Sequence, residues 1–464
     1  MLSGIHNIHF IGIGGAGMSA LAHVLCERGF HVSGSDKNAG GICEKLKALG
    51  AVVYQGHASG QVNGADAVVI SSAIHPDNCE LVAAKEQGIK VMHRSDVLAE
   101  LLNHADGVAV AGAHGKTTTS AMLSCIAAQG GIDPTIVIGG GGEVTSLGGN
   151  ARSGKGRYVI AEADESDGSF LKFYPLYALV TNIENDHMDH YGSEENIYAA
   201  FKQFVGSVKP GGAAVLCMDN PKLRRLAQET ETRVISYGID DEQADYVAKD
   251  IVYHTCGTDY KVYKNGSLFA EVQLIVPGRH NVLNSLGALV CAVEMGIKTD
   301  NILKALKEFT GAHRRFETKG RVNGVWVVDD YAHHPTEIGV TLKAALQTKP
   351  QRLICVFQPH RYTRTQLLFN EFCACFKGCD KLIVTDIYAA SEDPIEGVNS
   401  QKLAEGIKET SGVDVEYVPS MADIESYLAA NARTGDLVMT IGAGDVYKVG
   451  EALVADLQRS NENV

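Results

Sequence analysis

The residues best suited to chemistry lie in the stretch VAVAGAHGKTTTS, residues 108–120. Small and β-branched residues lead to Gly112 and then to a second glycine, Lys116 and Thr117, before good helix formers begin, which predicts a strand, a tight loop and a helix. Such a loop binds phosphate because its N–H groups point inward, the lysine can reach the outer phosphates and the threonine hydroxyl can ligate magnesium. The full phosphate-loop motif has one more glycine, at the position of Val110, so this is the shorter G-x-x-G-K-T form. We therefore predict phosphate binding here rather than a plain turn.

Two apolar strands further along the chain end in oxygen and nitrogen ligands. The strand RYVIAEADESD ends in an acidic cluster made of Glu162, Asp164, Glu165 and Asp167. The next strand, YALVTNIENDHMDHYG, finishes with Thr181, Asn182, Asp186, His187, Asp189 and His190. Because parallel strands in an open α/β sheet bind ligands at their carboxyl ends, these groups belong at the edge that carries the phosphate loop. Hard oxygen ligands suit magnesium with a nucleotide better than zinc, for which cysteine and a matching histidine spacing are lacking.

The chain also opens with a glycine loop, HNIHFIGIGGAGMSALAHVL. Residues Gly12 to Gly17 fit G-x-G-x-x-G between a strand and a helix, and Asp36 follows at the distance of a ribose-binding acid. Alternating strands and helices continue to about residue 100, which predicts a small doubly wound domain. The loop is interpreted as a dinucleotide site, or as glycines that only allow close helix–strand packing.

The remaining signals fall in the second half of the chain. Residues 246–276 alternate apolar and polar side chains around Asn265-Gly266, which predicts a hairpin with a type I′ turn. His280 and Asn281 enter a helix, either as a cap or as groups that read a base edge. Four later strands each end in polar residues: Asp329-Asp330-Tyr331, His360-Arg361-Arg364, Tyr388, and Gly442-Gly444-Asp445. Each arginine can bind a carboxylate or a phosphate through two parallel hydrogen bonds.

Composition limits the class of protein. A chain of 464 residues with 45% hydrophobic and 21% charged residues is too long for one core and predicts about three globular domains. The net charge of −14 argues against a nucleic acid or an anionic membrane as partner. The absence of a long apolar stretch and of a signal-peptide pattern at the start predicts a cytoplasmic protein without membrane insertion. The scattered cysteines are expected to be reduced, with Cys373, Cys375 and Cys379 as buried thiols rather than a metal site.

Taken together, these motifs resemble one family. The chain contains, in this order, IGIGGAG, GAHGKTTT, EADESD, TNIENDHMDHY, GRHNVLNSLGA, RRFE, DDYAHHPTE, PHRYTRT and GAGD. Over essentially its whole length it resembles the ATP-dependent muramyl ligases of bacterial cell-wall synthesis. The resemblance implies an α/β fold with a Rossmann-like UDP-sugar-binding domain (1–105), a central P-loop ATP-binding domain with a small antiparallel patch (106–312), and a Rossmann-like amino-acid-binding domain (313–464).

The resemblance also implies roles for particular residues. ATP would be held by Gly112, Ala113, His114, Gly115, Lys116, Thr117, Thr118, His280, Asn281, Arg314, Arg315 and Asp330. Two magnesium ions are expected, with Thr117, Glu162 and His187 as ligands. The substrates would contact Gly14, Gly15, Ala16, Gly17, Asp36, Ser71, Ser72, Tyr331, His333, His360, Arg361 and Arg364. Lys116, His360 and Arg361 would be catalytic.

The implied reaction activates a carboxylate. UDP-N-acetylmuramate would attack the γ-phosphate of ATP through its lactyl carboxylate, and L-alanine would attack the resulting acyl phosphate. A general base is expected, and His360 and His333 are both candidates. Two positions depart from the family pattern: Ala113 replaces a threonine, a change expected to be mild, and His75 replaces a lysine, which puts one substrate contact in doubt. The sequence is compatible with a monomer or a homodimer.

Three other interpretations compete. A relative in the same family attaches a ready-made peptide to the same sugar nucleotide, although Tyr331 and PHRYTRT fit the alanine acceptor better. A nicotinamide-dependent dehydrogenase would use Gly12 to Gly17 with Asp36 but leaves the phosphate loop without a role. A nucleotide-gated binding protein would use the loop without turnover.

Overall fold

The computed structural model describes residues 2–38, 40–139, 147–185, 188–255, 257–390 and 392–462. The chain forms two compact units. The first comprises Met1–Asp250, Tyr260–Gln273 and Val282–Phe309. The second comprises Ile251–Asp259, Leu274–Asn281 and Thr310–Val464.

The first hundred residues form a parallel five-stranded sheet flanked by helices. Its elements are β1 (Asn7–Ile11), α1 (Ala16–Glu27), β2 (His31–Asp36), α2 (Gly41–Ala48), β3 (Val52–Gln55), β4 (Ala67–Ile70), α3 (Cys79–Glu86), β5 (Lys90–His93) and α4 (Arg94–Asn103). The strand order is β3-β2-β1-β4-β5. The chain therefore runs to one side of β1 and then to the other, and this switch opens a crevice at the carboxyl end of β1, where the first glycine loop begins.

A ten-stranded sheet carries the phosphate loop. Its elements, with their helices, are β6 (Asp106–Ala111), α5 (Lys116–Gln129), β7 (Thr135–Val137), β8 (Ala151–Arg152), β9 (Tyr158–Glu162), β10 (Tyr177–Val180), α6 (Met188–Tyr191), α7 (Glu194–Gly206), β11 (Ala213–Cys217), α8 (Pro221–Glu229), β12 (Val234–Gly238), β13 (Tyr246–His254), β14 (Gly257–Lys264), β15 (Ser267–Leu274), α9 (Arg279–Glu294) and α10 (Thr299–Glu308). The strand order is β15-β14-β13-β12-β11-β10-β6-β9-β7-β8. Parallel pairing places β6 between β9 and β10, so the three loops that leave these strands lie side by side.

The predicted hairpin is confirmed. β14 and β15 are neighbours joined by Asn265 and Gly266, which both have positive φ (48° and 80°). A type I′ turn requires this left-handed backbone at both central positions, and asparagine and glycine adopt it at low cost.

The last part of the chain forms a six-stranded sheet. Its elements are β16 (Glu317–Val322), β17 (Val325–Asp330), α11 (Pro335–Gln347), β18 (Arg352–Phe357), α12 (Tyr362–Leu367), α13 (Phe369–Cys375), β19 (Lys381–Val384), α14 (Ser400–Ser411), β20 (Asp414–Tyr417), α15 (Met421–Asn431), β21 (Asp436–Ile441) and α16 (Tyr447–Glu462). The strand order is β16-β17-β21-β18-β19-β20, with β16 antiparallel to β17.

Both faces of this sheet are covered. Along β18, Leu353, Cys355 and Phe357 enter one apolar core and Ile354 and Val356 enter another. Successive side chains of a strand point to opposite faces, so a strand buried on both sides is a continuous apolar run, as in RLICVF.

Local sequence signals set where several helices begin. Asn220 accepts hydrogen bonds from the backbone N–H groups of Lys222 and Leu223 and is followed by Pro221. A proline at the first helical position loses no intrahelical bond, and an asparagine before it satisfies free N–H groups. His334 and Glu337 form a reciprocal capping box at the start of α11. This cap fixes the turn between β17 and α11, which carries several candidate site residues.

The α/β class with three Rossmann-like or phosphate-loop parts is confirmed by these three sheets. The cysteines that the structure describes are free thiols. Cys373 and Cys379 are buried as expected, whereas Cys375 is only partly buried. Among the helices in the described residues, none combines the length and apolar character that a membrane span requires.

Candidate active site

The phosphate loop joins β6 to α5 and depends on two glycines. Gly112 has φ +134°, and a Cβ added there would lie 2.1 Å from Thr181 Oγ1. Gly115 has φ +87°, and a Cβ there would lie 2.5 Å from Asn284 Oδ1. A larger residue at either position would meet both backbone strain and a steric clash.

The end of the neighbouring strand β10 holds this loop in place. Thr181 Oγ1 donates a hydrogen bond to the His114 carbonyl (2.6 Å). The side chain of Asn182 accepts from the His114 N–H and donates to its carbonyl, both at 2.9 Å. The sequence placed Thr181 and Asn182 at this edge, but their hold on the loop backbone emerges only from the strand order.

Lys116 is a largely buried cation at the first turn of α5. Its Nζ donates to the Gly112 carbonyl (2.6 Å) and to Glu165 Oε1 (2.7 Å), and the side chain is 18% exposed. Burial alone would lower the pKa of Lys116, but Glu165, with help from Asp164 and Glu162, raises it above its ordinary value. Lys116 is therefore charged at neutral pH and can oppose the negative charge of a phosphate.

Oxygen ligands adjoin the loop on the side of β9. Ser120 Oγ lies 3.1 Å from the Thr117 carbonyl oxygen and 3.3 Å from Glu162 Oε1, and its one hydroxyl hydrogen can be donated to either. The first turn of α5 therefore lies next to the end of β9. Thr117 and Glu162 thus offer hard oxygen donors of the kind that magnesium prefers, and they fit the predicted metal site. The third predicted ligand, His187, lies outside the described residues. Within those residues, no group of three or more His, Cys, Asp or Glu side chains is arranged to hold a metal.

The acidic segment after β9 also contacts the first sheet. Arg94 Nη2 donates to Asp164 Oδ2 (2.7 Å), and Ser72 Oγ donates to Asp167 Oδ2 (3.0 Å). Burial would raise the pKa of Asp164, but Arg94 is the main group that lowers it to about 2. A single short segment therefore connects the lysine of the phosphate loop, through Glu165, with the crevice of the first sheet.

Arg94 is a residue that sequence reasoning missed. It begins α4 directly after β5, and a Cβ added to Gly17 would lie 3.4 Å from its Nη1. The available signal was its position at the end of a fifth parallel strand, where ligands of open sheets gather.

The first glycine loop is built around the end of β2. The N–H groups of Gly12 and Ile13 donate to the Ser35 carbonyl (2.8 and 2.9 Å), and the Gly14 N–H donates to Asp36 Oδ2 (2.9 Å). Of the other predicted contacts, Gly15, Ala16 and Gly17 lie at the start of α1, whereas Ser71 and Ser72 follow β4. The structure thus brings Asp36 to the loop, as the spacing predicted.

In the second unit, the two arginines of RRFE have different surroundings. Arg314 is buried: its Nε donates to Asp329 Oδ2 (2.8 Å), and its two Nη atoms donate to the carbonyls of Gly444 (2.9 Å) and Gly442 (2.6 Å). Arg315 is 28% exposed and lies over the Tyr331 ring. The N–H groups of Arg314 are engaged by the GAGD turn. The partly exposed Arg315 is therefore better placed than Arg314 to contact a ligand.

Asp330 connects the RRFE segment with the turn that follows β17. Its Oδ2 accepts from the Phe316 N–H and its Oδ1 from the Ala332 N–H, both at 2.8 Å. Burial raises the pKa of Asp330 to about 6, although Arg315 opposes the shift. The carboxyl group therefore fixes the turn that presents Arg315 and Tyr331.

An imidazole and arginine cluster lies at the carboxyl ends of β17 and β18. The rings of His333 and His360 are 5.8 Å apart, and His360 stacks on Tyr388 at 5.6 Å. Arg364 Nη1 lies 3.1 Å from His360 Nδ1. Burial is the main cause that lowers the pKa of His333 to about 4 and that of His360 to about 3, so both rings are neutral at pH 7.

Arg361 has an unusual backbone. Its φ is +70°, a left-handed value that costs a residue with a side chain of order 1–3 kcal/mol, and its side chain is exposed at the start of α12. The Arg361 N–H donates to the Tyr388 carbonyl (2.9 Å), which secures this conformation. Strain held in place by neighbouring structure is common where a side chain must be aimed at a ligand.

His280 and Asn281 enter α9 as predicted. Burial, followed by the charge of Arg315, lowers the pKa of His280 to about 4. The Asn281 side chain donates to the Pro277 carbonyl (2.7 Å), which ties the helix start to the preceding turn. Asn284, one turn later, is the residue beside Gly115 that the sequence did not single out.

The two sets of residues suit two kinds of chemistry. In the first unit, a charged lysine, helix N–H groups and oxygen donors can stabilise a phosphoryl group in transfer. In the second, arginines can fork a carboxylate while neutral imidazoles move a proton.

Family models match three consecutive parts of the chain. Residues 7–106 match the model described as "Mur ligase family, catalytic domain", residues 110–292 match "Mur ligase middle domain", and residues 314–444 match "Mur ligase, glutamate ligase domain".

Named relatives match the chain over almost its whole length. The UDP-N-acetylmuramate–L-alanine ligase of Pelotomaculum thermopropionicum is 47% identical over 456 residues, covering 98% of each chain. That of Syntrophus aciditrophicus is 46% identical over 459 residues, covering 99% of this chain and 95% of the relative.

Solved structures agree with these relatives. The UDP-N-acetylmuramate–alanine ligase of Thermotoga maritima superimposes with a TM-score of 0.83 at 28% identity, covering 98% of this chain and 99% of that one. A murein peptide ligase of Psychrobacter arcticus gives a TM-score of 0.72 at 25% identity, with the same coverage.

Proposed function

The chain belongs to the Mur ligase family, and we propose that it is an enzyme that joins L-alanine to the lactyl carboxylate of UDP-N-acetylmuramate, with conversion of ATP to ADP and phosphate. The relatives that carry this activity in their names match it from end to end. The single observation that supports phosphoryl transfer most directly is the charged, largely buried Lys116 inside a glycine loop beside the oxygen donors of Thr117 and Glu162.

The first half of the reaction transfers a phosphoryl group to a carboxylate. Two anions must approach each other, and their repulsion is the main part of the barrier. Lys116 and the N–H groups of the loop offset that charge, while Thr181 and Asn182 keep the loop in shape. When magnesium is bound, held by Thr117 and Glu162 with His187 as the further proposed ligand, it neutralises phosphate charge. The product is an acyl phosphate, which a neutral amine can attack.

The first sheet would bind the UDP-sugar. The N–H groups of Gly12, Ile13 and Gly14 already donate to Ser35 and Asp36, so the backbone donors for a diphosphate are those of the first turn of α1, which begins at Ala16. Arg94 and Ser72 link this crevice to the acidic segment that carries Glu165. Binding of the sugar nucleotide is therefore connected by direct contacts to the surroundings of Lys116.

The second half of the reaction needs an oriented amino acid. Arg361 and Arg364 are proposed to hold the L-alanine carboxylate, because a planar guanidinium can bond both carboxylate oxygens. Tyr331, whose ring centre lies 5.4 Å from that of His333, is proposed as a further substrate contact. Arg315, Asp330 and His280 are proposed to lie near the nucleotide. The amine then attacks the acyl carbon, and phosphate leaves.

The remaining assignments follow from this activity. We propose the division 1–105, 106–312 and 313–464 for the UDP-sugar, ATP and amino-acid domains. An enzyme that uses ATP and a sugar nucleotide is expected to work in the cytoplasm, as a monomer or a homodimer.

An acceptor panel tests the proposal. Purified protein with ATP and magnesium should release ADP only when both UDP-N-acetylmuramate and an acceptor are present, and L-alanine should exceed glycine, L-serine and a cell-wall tripeptide in kcat/KM. A preference for the tripeptide would instead make the chain a murein peptide ligase, like the Psychrobacter arcticus neighbour. ADP release that does not depend on the sugar nucleotide would disprove the proposal.

A further inference from the structure

The cluster at the carboxyl ends of β17 and β18 contains two neutral imidazoles, and the sequence does not distinguish their roles. Each ring has one nitrogen that carries hydrogen and one that carries a lone pair. The hydrogen-bond partner of one nitrogen decides which is which. The partners of His333 and His360 are of opposite type, which separates the two residues.

His360 faces a donor that cannot lose its proton. Arg364 Nη1 lies 3.1 Å from His360 Nδ1, and a guanidinium only donates hydrogen bonds. His360 Nδ1 must therefore supply the lone pair, and its hydrogen is on Nε2. Protonating His360 would remove this bond and set two cations against each other, so His360 is a neutral donor rather than a base.

His333 faces an acceptor. Its Nδ1 lies 3.0 Å from the Tyr331 carbonyl oxygen and 3.5 Å from Glu337 Oε2, and neither oxygen can donate there when Glu337 is ionised. The hydrogen of His333 is therefore on Nδ1, and Nε2 carries the lone pair. No group among the described residues hydrogen-bonds to this Nε2, and the side chain is 23% exposed.

We propose that His333, through Nε2, is the general base that takes the proton from the acceptor amine, and that His360 is a neutral hydrogen-bond donor whose tautomer is set by Arg364. This inference rests on the proposed ligase function and assigns one proton within it.

L-Alanine loses one ammonium proton to solvent, which gives its nitrogen a lone pair. That lone pair forms the N–C bond to the acyl carbon while the carbonyl electron pair moves to oxygen. His333 Nε2 takes a second proton from the nitrogen, the carbonyl re-forms, and the C–O bond to phosphate breaks with its electron pair on phosphate. His333 then passes its proton to the departing phosphate or to water.

The charges around His333 fit this role. Glu337 on the same helix favours the imidazolium that forms, whereas Arg364 and Arg315 oppose it, and the groups facing the ring are completed by His360 and Tyr331. A substrate carboxylate on Arg364 would offset one opposing charge. The base would then become more basic when the acceptor is bound.

The decisive experiment compares two nucleophiles. After attack, the strongly basic nitrogen of L-alanine keeps its second proton until a base removes it, whereas the weakly basic nitrogen of hydroxylamine loses that proton to water without help. His333→Asn keeps a side-chain N–H for the Tyr331 carbonyl but has no basic nitrogen. We expect it to lower kcat with L-alanine by about 100-fold, the usual size of a lost general base, while hydroxamate formation stays near that of the unaltered enzyme. The alanine rate of this variant should also recover as the pH is raised.

Two further variants sharpen the result. His360→Gln retains an N–H at the position of Nε2 and should keep its dependence on pH, with a smaller loss of rate. The matched control is His334→Asn, at the neighbouring histidine that caps α11. Asparagine can cap the helix in its place, so the rates with both nucleophiles should not change.

Several outcomes would overturn the assignment. An equal loss of rate with L-alanine and with hydroxylamine in His333→Asn would show that His333 acts in a step before aminolysis. An unchanged rate with L-alanine in that variant would show that His333 is not the base. If the unaltered enzyme released no ADP with UDP-N-acetylmuramate, the ligase function itself would fall. Imidazole ¹⁵N spectra of the unaltered protein give a test that does not depend on the variants folding: hydrogen on Nε2 of His333, or on Nδ1 of His360, would refute the tautomers.

Discussion

Replacement of Lys116 separates its catalytic role from its structural one. The lysine shares a 2.7 Å ion pair with Glu165, whose side chain is 4% exposed. Lys116→Ala removes the cation that opposes phosphate charge, and we expect kcat to fall at least ~100-fold. The same change leaves a buried carboxylate without its partner, which typically costs about 3–5 kcal/mol of unfolding free energy.

Glu165 can reduce that cost by taking up a proton. Burial disfavours its ionised form, so the single variant should lose less stability at pH 5 than at pH 8. The double variant Lys116→Met with Glu165→Gln has no buried charge at this position. It should regain most of the unfolding free energy while its turnover stays low.

Urea denaturation and ADP release measure the two effects on the same samples. The unaltered enzyme and Glu165→Gln alone serve as controls. If the double variant regained turnover together with stability, the loss in Lys116→Ala would be structural, and the role of Lys116 in phosphoryl transfer would be refuted.

Three further predictions concern single residues. Gly112→Ala, which places a Cβ against Thr181 at a positive φ, should abolish nucleotide-dependent thermal stabilisation in a melting assay, and normal ATP binding would contradict the loop geometry. Arg364→Lys loses the planar fork and should raise the KM for L-alanine by about 10-fold with little change in the KM for ATP, whereas an equal rise in both would contradict its assignment. His280 and His333 have folded-state pKa values near 4, below the unfolded value, so stability should be full above about pH 6.5 and fall towards pH 4; a urea midpoint that rises on acidification would show the opposite sign.

The sequence predicted the architecture because its signals are local. Apolar strands that run into glycine loops, and the Asn265-Gly266 turn, depend on neighbours a few residues away. Lys116, Thr117 and Asp36 were also found this way, since each lies at a fixed distance from a glycine motif.

The parts that sequence reasoning missed depend on which strands become neighbours. The sequence placed Thr181 at the correct sheet edge, but its hydrogen bond to the loop backbone depends on the pairing of β10 with β6. Asn284 lies beside Gly115 although 169 positions separate them in the numbering of the chain. Arg94 meets Asp164 only because two sheets approach each other within one compact unit. No local pattern encodes such pairings.

The pair Arg314 and Arg315 shows a different limit. The two side chains are chemically identical, and the family resemblance offered both as nucleotide ligands. The buried bonds of Arg314 to Asp329 and to the GAGD turn are set by tertiary packing, which no spacing reveals. Likewise, His333 and His360 differ by the type of atom that faces each ring.

The most direct test of the account is the product formed from UDP-N-acetylmuramate, ATP and L-alanine by the purified protein. Mass spectrometry should show UDP-N-acetylmuramate increased by one alanine residue, with one ADP and one phosphate released for each product molecule. ADP release without the alanine adduct, or an adduct formed without ATP, would contradict the proposed ligase.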